Sequence, residues 1–411
     1  MKAVGLITEY NPFHSGHAYH IEKAKEITGA DYAVAVMSGD YVQRGTPALF
    51  PKHARTEMAL HGGADLVLEL PVQYATASAE MFAYGGISIL NTLSVINTVC
   101  FGCECGDAKI LMNIAQILIA EPDWYRKTLQ ENLKKGISFP AARAAALPEY
   151  SEILSSPNNI LGIEYCKALS SLKSDIQPLG IKRKGNNYHE TSLNDTFASA
   201  SALREQLLHS QSISPTSEVP ISKQTMTTIQ KYFPEQVYAI LEKTLAESVA
   251  VSEDDFSEIL VYRLMMAESP DELCQYADMS KELAARIYKN RNKFRSFSQF
   301  ANLMKTREIT HTRINRALLH LILNIKKEAV TEPYVRILGF RKSASPLLNK
   351  IKRSCATPIL AKTADFKKTL DTREQICFQN NLNASMIFES ILAAKMNHPI
   401  KSEHEKQIII I

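Results

Sequence analysis

Residues 3–17, AVGLITEYNPFHSGH, decide how the rest of the sequence is interpreted. The stretch opens with a short apolar strand at 3–7, and a turn is predicted at Asn11-Pro12. Gly16 then lets the backbone approach a ligand, and a helix is predicted over 18–27. The free N–H groups and the positive dipole end at such a helix start attract phosphate. The stretch therefore predicts a strand–turn–helix unit that binds a phosphorylated ligand.

The rest of the first hundred residues continues the alternation of strands and helices. Further strands are predicted at 32–37, 65–70 and 95–101, separated by helices at 52–61 and 77–93. Short strands interleaved with helices indicate a parallel sheet covered on both faces, which binds ligands at the carboxyl ends of its strands. We therefore expect an α/β fold, with a Rossmann-like parallel sheet followed by a mainly helical C-terminal region.

The chain of 411 residues exceeds what one core usually organises, so two or three domains are expected. The segment 209–222 is rich in Ser and Pro and is interpreted as a linker. We predict a catalytic nucleotide-binding domain at 1–210 and a mainly α-helical, basic region at 223–411. Two short strand patterns around a helix allow a small third α/β unit at 334–411.

The composition excludes several classes of protein. With 45% hydrophobic and 22% charged residues, the chain is neither disordered nor collagen-like. No apolar run reaches the ~18–20 residues that span a bilayer, and the first residues lack the long apolar region of a signal peptide. Seven cysteines without such a signal favour reduced thiols. We expect a cytoplasmic protein with no membrane partner, and the oligomeric state is left open.

Positive charge is concentrated in the second half of the chain. Residues 281–353 hold 18 Lys or Arg against four Glu, a net charge of +14. Within this range Arg313, Arg316, His320 and Lys327 recur at helical spacing, opposite an apolar stripe. Clustered Lys and Arg release counterions when they contact phosphates, so this basic face predicts a nucleic-acid partner. A solvated helical surface would give the same pattern and remains an alternative.

Two histidines, His14 and His17, flank Ser15-Gly16 in the turn described first. Imidazoles at this spacing can reach one triphosphate and donate hydrogen bonds to the charge that develops between its α and β phosphates. Paired histidines can also bind a metal, and the spacing occurs by chance. The position after a strand and before a helix favours the nucleotide.

Several motifs together resemble the bacterial tRNA(Met) cytidine acetate ligase family of the HxGH nucleotidylyltransferase superfamily. They are EYNPFHSGH at 9–17, MSGDYVQRG at 37–45, FG at 101–102, NILGIEY at 159–165, IKR at 181–183 and KTREITHTRINR at 305–316. The set is far more specific than the two histidines alone.

The resemblance implies a two-step reaction. Acetate attacks the α-phosphate of ATP, which gives acetyl-adenylate and pyrophosphate. The acetyl group then passes to N4 of the wobble cytidine of elongator tRNA(Met) and forms N4-acetylcytidine. ATP is thus the implied substrate, with Mg²⁺ expected beside it on ligands that the sequence does not reveal. Acetate and tRNA are the implied partners.

The resemblance also implies which residues contact the substrates. The ATP-binding positions are Ile7, Thr8, Glu9, Tyr10, Asn11, Pro12, Phe13, His14, Ser15, Gly16, His17, Ala18, Tyr19, His20, Gly39, Gly102, Asn159, Arg183 and Ser201. The catalytic positions are His14, His17, Asp40 and Arg204, and the tRNA contacts expected on the basic face are Arg307, Arg313, Arg316 and Lys327. Arg204 ends the stretch SASALR at 199–204, which resembles the second signature of the superfamily but departs from it at Ala200 and Ser201. From sequence alone, Asn159 could instead cap a helix.

Two other classes of function remain open. An adenylyltransferase acting on a small mononucleotide, or another acyl-adenylate-forming enzyme, would share the phosphate site but leave the basic half of the chain without a role. A nucleic-acid-binding protein that has lost its activity would have no need of intact His14, Gly16, His17 and Arg204.

Overall fold

One main sheet runs through the molecule. The computed structural model describes residues 1–183, 198–212, 223–327 and 334–411. Its strands are β1 (Ala3–Thr8), β2 (Tyr32–Ser38), β3 (Tyr41–Val42), β4 (Thr46–Pro47), β5 (Leu66–Leu70), β6 (Ile96–Cys103), β7 (Gln177–Lys182), β8 (Val335–Phe340), β9 (Ile359–Leu360) and β10 (Ile409–Ile410). The main sheet has the order β10-β8-β5-β2-β1-β6-β7, with β9 beside β8, and β3 and β4 form a separate hairpin.

The first five strands of the main sheet in chain order are parallel. β1 lies between β2 and β6, with Ala3 opposite Tyr32, and β5 and β7 extend the sheet on either side. β1, β2 and β5, in the middle of the sheet, are mainly apolar and nearly all their side chains are buried, because helices cover both faces of the sheet. The predicted Rossmann-like parallel sheet is confirmed.

Helices connect these strands and form most of the second half of the chain. They are α1 (Ser15–Thr28), α2 (Lys52–His61), α3 (Val72–Ala75), α4 (Ala79–Thr92), α5 (Ala108–Ala120), α6 (Asp123–Lys134), α7 (Phe139–Ala146), α8 (Ser151–Ser155), α9 (Pro157–Ser171), α10 (Ala200–Ser212), α11 (Lys223–Gln230), α12 (Glu235–Glu247), α13 (Ser257–Met266), α14 (Pro270–Leu273), α15 (Lys281–Asn290), α16 (Phe297–Met304), α17 (His311–Leu323), α18 (Ser345–Ser354), α19 (Phe366–Thr369) and α20 (Thr372–Met396). Of the predicted linker, residues 213–222 lie outside the described residues. None of the described helices combines the length and the apolar character that a bilayer crossing needs.

The segment 334–411 contributes strands to the main sheet. β8 pairs antiparallel with β5, with Leu66 opposite Phe340, and β10 pairs with β8, with Ile409 opposite Gly339. In the described residues this segment therefore does not form the separate α/β unit that its strand pattern allowed. An apolar run predicts a strand but does not reveal a partner that lies far away in the sequence.

Helices of the predicted second region share cores with the first. Val237 and Leu241 of α12 belong to the same buried cluster as Phe13, which precedes α1. Helices α13–α17 pack in a second cluster that also includes Tyr41 of β3 and Val72 of α3. The described residues on the two sides of the predicted domain boundary pack into common cores. The division into domains at 1–210 and 223–411 therefore stays a prediction.

A buried network of charged side chains joins the sheet to the segment that follows α20. Lys52 Nζ lies 2.7 Å from Glu69 Oε1 and 2.9 Å from Glu403 Oε1. Arg336 Nη1 lies 2.6 Å from Glu69 Oε2, and its Nη2 lies 2.7 Å from Glu403 Oε1. Burial disfavours the charged forms, but the opposite charges overcome it. They hold the pKa of Lys52 above its ordinary value and the pKa of Glu69 and of Glu403 below theirs.

Substitution Lys52→Met should destabilise the protein by about 3–5 kcal/mol, because it leaves buried carboxylates without their cation. The measurement is urea unfolding followed by circular dichroism at neutral pH. Lys23→Met, which breaks an exposed pair with Glu26, is the control and should change the stability little. Equal effects of the two substitutions would contradict the structural role of the network.

Candidate active site

A cavity of about 330 Å³ opens at the carboxyl ends of β1 and β6. The chain leaves β1 toward β2, whereas β6 lies on the other side of β1, so the strand order reverses here. Open α/β sheets bind their ligands at such a point. The N-termini of α1 and α10 both reach this cavity, since Gly16 and Ala200 line it. The fold therefore directs the positive ends of two helices at one place.

The two histidines cap the first turn of α1. His14 is the N-cap residue, and its Nδ1 accepts a hydrogen bond from the backbone N–H of Gly16 at 3.0 Å. His17 Nδ1 accepts from the backbone N–H of His14 at 3.3 Å, which completes a reciprocal capping box. The ring centroids lie 3.9 Å apart. The turn therefore fixes both imidazoles at the edge of the cavity.

This capping determines where the histidine protons lie. Burial, aided by the charges of Arg183 and Arg204, lowers the pKa of His14 to about 3. Burial and the neighbouring imidazoles and arginines also hold the pKa of His17 well below its usual value, so both rings are neutral near pH 7. In each ring Nδ1 is an acceptor, so the single proton resides on Nε2. Each imidazole is thus prepared to donate Nε2–H to an anionic ligand.

The stretch 199–204 forms the opposite side of the cavity. Ser199 Oγ accepts from the backbone N–H of Ala202 at 3.1 Å, which caps the start of α10. Arg204 Nη2 donates to Ser201 Oγ at 2.9 Å, and its Nη1 donates to the carbonyl oxygen of Asn11 at 2.7 Å. Arg204 is therefore oriented by its neighbours before any ligand arrives.

The loop after β6 is tied to the start of α9. Glu104 accepts from the backbone N–H of Asn159 at 2.8 Å, and Asn159 Oδ1 accepts from the backbone N–H of Glu104 at 2.9 Å. Asn159 is buried by these contacts, and its neighbour Asn158 lines the cavity instead. Asn158 Oδ1 accepts from Arg183 Nη1 at 3.2 Å. Asn159 therefore positions this wall of the cavity rather than forming part of it.

Sequence reasoning missed Arg55, whose side chain donates hydrogen bonds to backbone carbonyl oxygens in and around the turn after β1. This fully buried side chain donates through Nη1 to the carbonyl oxygen of Glu9 at 2.5 Å and through Nε to the carbonyl oxygen of Phe50 at 3.0 Å. Its Nη2 donates to the carbonyl oxygens of Ser38 and Gly39. Nothing in the local sequence distinguishes this arginine from an exposed one on a helix.

Comparison with known proteins agrees with this geometry. A family model described as HIGH Nucleotidyl Transferase matches residues 1–404. A tRNA(Met) cytidine acetate ligase of Thermoanaerobacter sp. (strain X514) is 39% identical over 417 residues, covering 97% of this chain and 99% of the relative. One from Acetivibrio thermocellus is 40% identical and covers 90% of each chain. This chain belongs to the tRNA(Met) cytidine acetate ligase family.

Solved structures show the same relationship in three dimensions. The crystal structure of apo Thermotoga maritima TmcAL matches the whole of both chains with a TM-score of 0.91 at 30% sequence identity. The structure of the same protein bound with alpha-thio ATP matches with a TM-score of 0.89. The family fold thus extends over the full chain, including the helices that follow the nucleotide site.

The structure brings most of the residues implied by the family resemblance together. Those that line the cavity are Ile7, Thr8, Glu9, Tyr10, Asn11, His14, Gly16, His17, Tyr19, His20, Gly102, Arg183, Ser201 and Arg204. Cavity-lining residues that the prediction did not name include Gln43, Arg44, Phe82, Tyr165 and Lys182. Pro12, Phe13, Ser15, Ala18, Gly39, Asp40 and Asn159 are described but do not line it.

Asp40 is the clearest difference from prediction. It is 6% exposed, and its Oδ1 accepts from the backbone N–H of Lys52 at 2.9 Å while Oδ2 accepts from Ser385 Oγ at 2.8 Å. Beside it, a side chain at Gly39 would lie 2.8 Å from Glu69 Oε1. Asp40 therefore belongs to the buried charge network and Gly39 borders it, and the expected position of Asp40 near the reacting centre is not found.

The basic face predicted on α17 is also only partly exposed. Arg316 is 8% exposed and makes two hydrogen bonds of 3.0 Å to the carboxylate of Asp278. His320 is buried, with Nε2 3.0 Å from Thr76 Oγ1. Lys327 lies beyond the end of the helix. The expectation that Arg316 faces solvent is wrong, because α17 is enclosed on almost all sides; Arg307, Arg313 and Lys327 are exposed.

Three half-buried imidazoles with lowered pKa should make the folded enzyme sensitive to acid. The pKa is lowered to about 3 for His14 and about 4 for His20, and it is also low for His17. As the pH falls below ~6.5, the unfolded chain binds protons that the folded chain cannot, so stability is complete above this pH and declines below it. We expect a loss of about 2 kcal/mol for each of His14 and His20 between pH 7 and pH 5.

His14→Asn tests this expectation because asparagine retains an N-cap acceptor but does not titrate. The unfolding free energy is measured in urea at several pH values from 7 to 5. Its slope against pH should be smaller in this variant, by the amount that corresponds to about one proton fewer taken up on unfolding. His404→Asn, at an exposed position, is the control. Identical slopes for His14→Asn and the unmodified chain would contradict the assignment.

Proposed function

We propose that this chain is an ATP-dependent tRNA(Met) cytidine acetate ligase. It activates acetate as acetyl-adenylate and transfers the acetyl group to N4 of the wobble cytidine of elongator tRNA(Met). The observation that carries the proposal is the pair of neutral imidazoles that cap α1. They line the same cavity as the N-terminus of α10, at the point where the strand order of the sheet reverses. Similarity to the tRNA(Met) cytidine acetate ligases over nearly the whole chain supports the second substrate.

In the first step the triphosphate of ATP lies between the two helix N-termini. His14 and His17 donate Nε2–H to its oxygens, and Arg204, already oriented by Asn11 and Ser201, adds a permanent positive charge. Acetate must approach an anionic phosphate, and the cations that line the cavity reduce their repulsion. The step requires no covalent bond to the protein, so positioning and electrostatics provide the rate enhancement.

Metal ligands of the protein itself are scarce around the cavity. The described part of the chain contains no cluster of three or more His, Cys, Asp or Glu that could hold a metal ion. Glu9 is the only carboxylate among the described residues that line the cavity. These described residues do not fit a Mg²⁺ site held by the protein.

In the second step the tRNA contacts the helical region. Arg307 and Arg313 are exposed around the start of α17, and Lys327 is exposed after its end. The hairpin of β3 and β4 links this region to the cavity, since a side chain at Gly45 would lie 2.3 Å from the backbone nitrogen of Arg316. Gln43 and Arg44, at the tip of this hairpin, line the cavity. Because tRNA and ATP are its proposed substrates, we propose that the enzyme acts in the cytoplasm.

Incubation of the purified protein with ATP, labelled acetate and total tRNA should place the label in a single nucleoside, N4-acetylcytidine, of tRNA(Met). The measurement is nuclease digestion followed by chromatography and mass spectrometry of the nucleosides. Omission of ATP should abolish the label. Transfer of the adenylyl group to a small mononucleotide, with tRNA unlabelled, would support the alternative function instead.

Substitution of both Arg307 and Arg313 by Glu should weaken tRNA binding at least tenfold and reduce its salt dependence, because two phosphate contacts are lost. Formation of acetyl-adenylate without tRNA should be retained. The charge-matched control replaces the exposed Arg126 and Lys127 of α6 by Glu, and filter binding at several salt concentrations is the assay. An equal loss of tRNA binding in both double variants would contradict the assignment of this surface.

A further inference from the structure

The cavity contains one carboxylate for which acetate activation provides no role. Among its described lining residues, Glu9 is the only Asp or Glu, whereas the permanent cations there are Arg44, Lys182, Arg183 and Arg204. A carboxylate repels both the triphosphate and acetate, so it weakens the binding of the substrates of the first step. Its position therefore needs a ligand that carries hydrogen-bond donors.

Glu9 is held in place on two sides. Its Oε1 accepts from the backbone N–H of Gln43 at 2.9 Å, and its carbonyl oxygen accepts from Arg55 Nη1 at 2.5 Å. A carboxylate offers about four lone-pair directions, so one hydrogen bond from Gln43 leaves acceptor capacity for a ligand. The group is therefore fixed in position and still able to bind.

The location of Glu9 favours the second substrate. The residue follows β1 directly, and it lines the same cavity as His14 and His17, which are proposed to bind the phosphates. Its partner Gln43 belongs to the hairpin that packs against α17. Glu9 thus lies between the phosphate site and the region proposed to bind tRNA.

The chemistry of cytidine matches this group. The amino group at N4 of cytosine is a hydrogen-bond donor that Glu and Asp recognise. An anticodon base is unpaired and can enter a pocket, where aromatic side chains such as Phe82 and Tyr165 are available for stacking. The amino group must also lose a proton when it is acylated, and a positioned carboxylate can accept it.

We propose that Glu9 binds the N4 amino group of the target cytidine and accepts its proton during acetyl transfer, which rests on the proposed function. N4 attacks the carbonyl carbon of acetyl-adenylate and forms the new N–C bond. The bond between that carbon and the phosphate oxygen breaks, and AMP leaves with the electron pair. The N4 proton passes to the Glu9 carboxylate.

Glu9→Gln separates this role from ATP binding, because it preserves the shape of the side chain but removes the base. Two products are measured with ATP and labelled acetate: acetyl-hydroxamate, which forms when hydroxylamine traps acetyl-adenylate, and acetylated tRNA in single-turnover reactions. We expect acetyl transfer to tRNA to fall at least 100-fold more than hydroxamate formation. Glu9→Asp, which keeps a carboxylate, should recover part of the transfer. The control Glu22→Gln, at an exposed position of α1, should leave both rates unchanged.

Three outcomes would overturn the proposal. An equal loss of both products would assign Glu9 to a donor group of ATP, such as its adenine amino group or a ribose hydroxyl. Undiminished transfer by Glu9→Gln would exclude a role for the carboxylate as the base. Activity of Glu9→Asp no higher than that of Glu9→Gln would show that a carboxylate does not restore transfer, which argues against the role as a base. Failure of the unmodified protein to give any hydroxamate would instead contradict the proposed function itself.

Discussion

Hydrogen bonds from two arginines to the turn after β1 are the constraint on which the site depends. Arg55 reaches the carbonyl oxygen of Glu9 from α2, and Arg204 reaches the carbonyl oxygen of Asn11 from α10. A guanidinium group has several donors in a rigid plane, so moving the turn would leave buried donors and a charge without partners. With the turn fixed, His14 and His17 keep the orientation in which they cap α1. Elements distant in sequence thus determine the geometry of a local motif.

The cavity contains two kinds of polar side chain, permanently charged ones and histidines that the protein keeps neutral. Arginine and lysine side chains provide its positive field, whereas the histidines are kept neutral by burial and by those same arginines. A neutral imidazole with its Nδ1 occupied has one orientation for its remaining proton. Donors arranged in this way need little reorganisation when charge moves between the phosphates of a bound nucleotide.

The sequence was sufficient for features that depend on nearby residues. The strands β1, β2, β5 and β6, the histidine pair and the stretch that ends at Arg204 follow from apolar runs, turn residues and motifs. Features decided by distant pairing were not predictable. Asp40 and Arg316 look like accessible functional groups in sequence, but Lys52 and Asp278 neutralise them inside the protein. Helical spacing identifies the face of α17 that packs on one neighbour but cannot show that a second neighbour covers the other face.

The pairing of β8 with β5 has a consequence for the growing chain on the ribosome. β5 is made early, but its outer edge has no partner until residues 335–340 have emerged. Until then the nascent chain presents an unpaired apolar strand edge, which can pair with other chains. The carboxylate of Glu69, which is buried in the folded protein, also still lacks its partner Arg336. Completion of the nucleotide-binding half of this protein therefore waits for residues synthesised after the helices that we propose to contact tRNA.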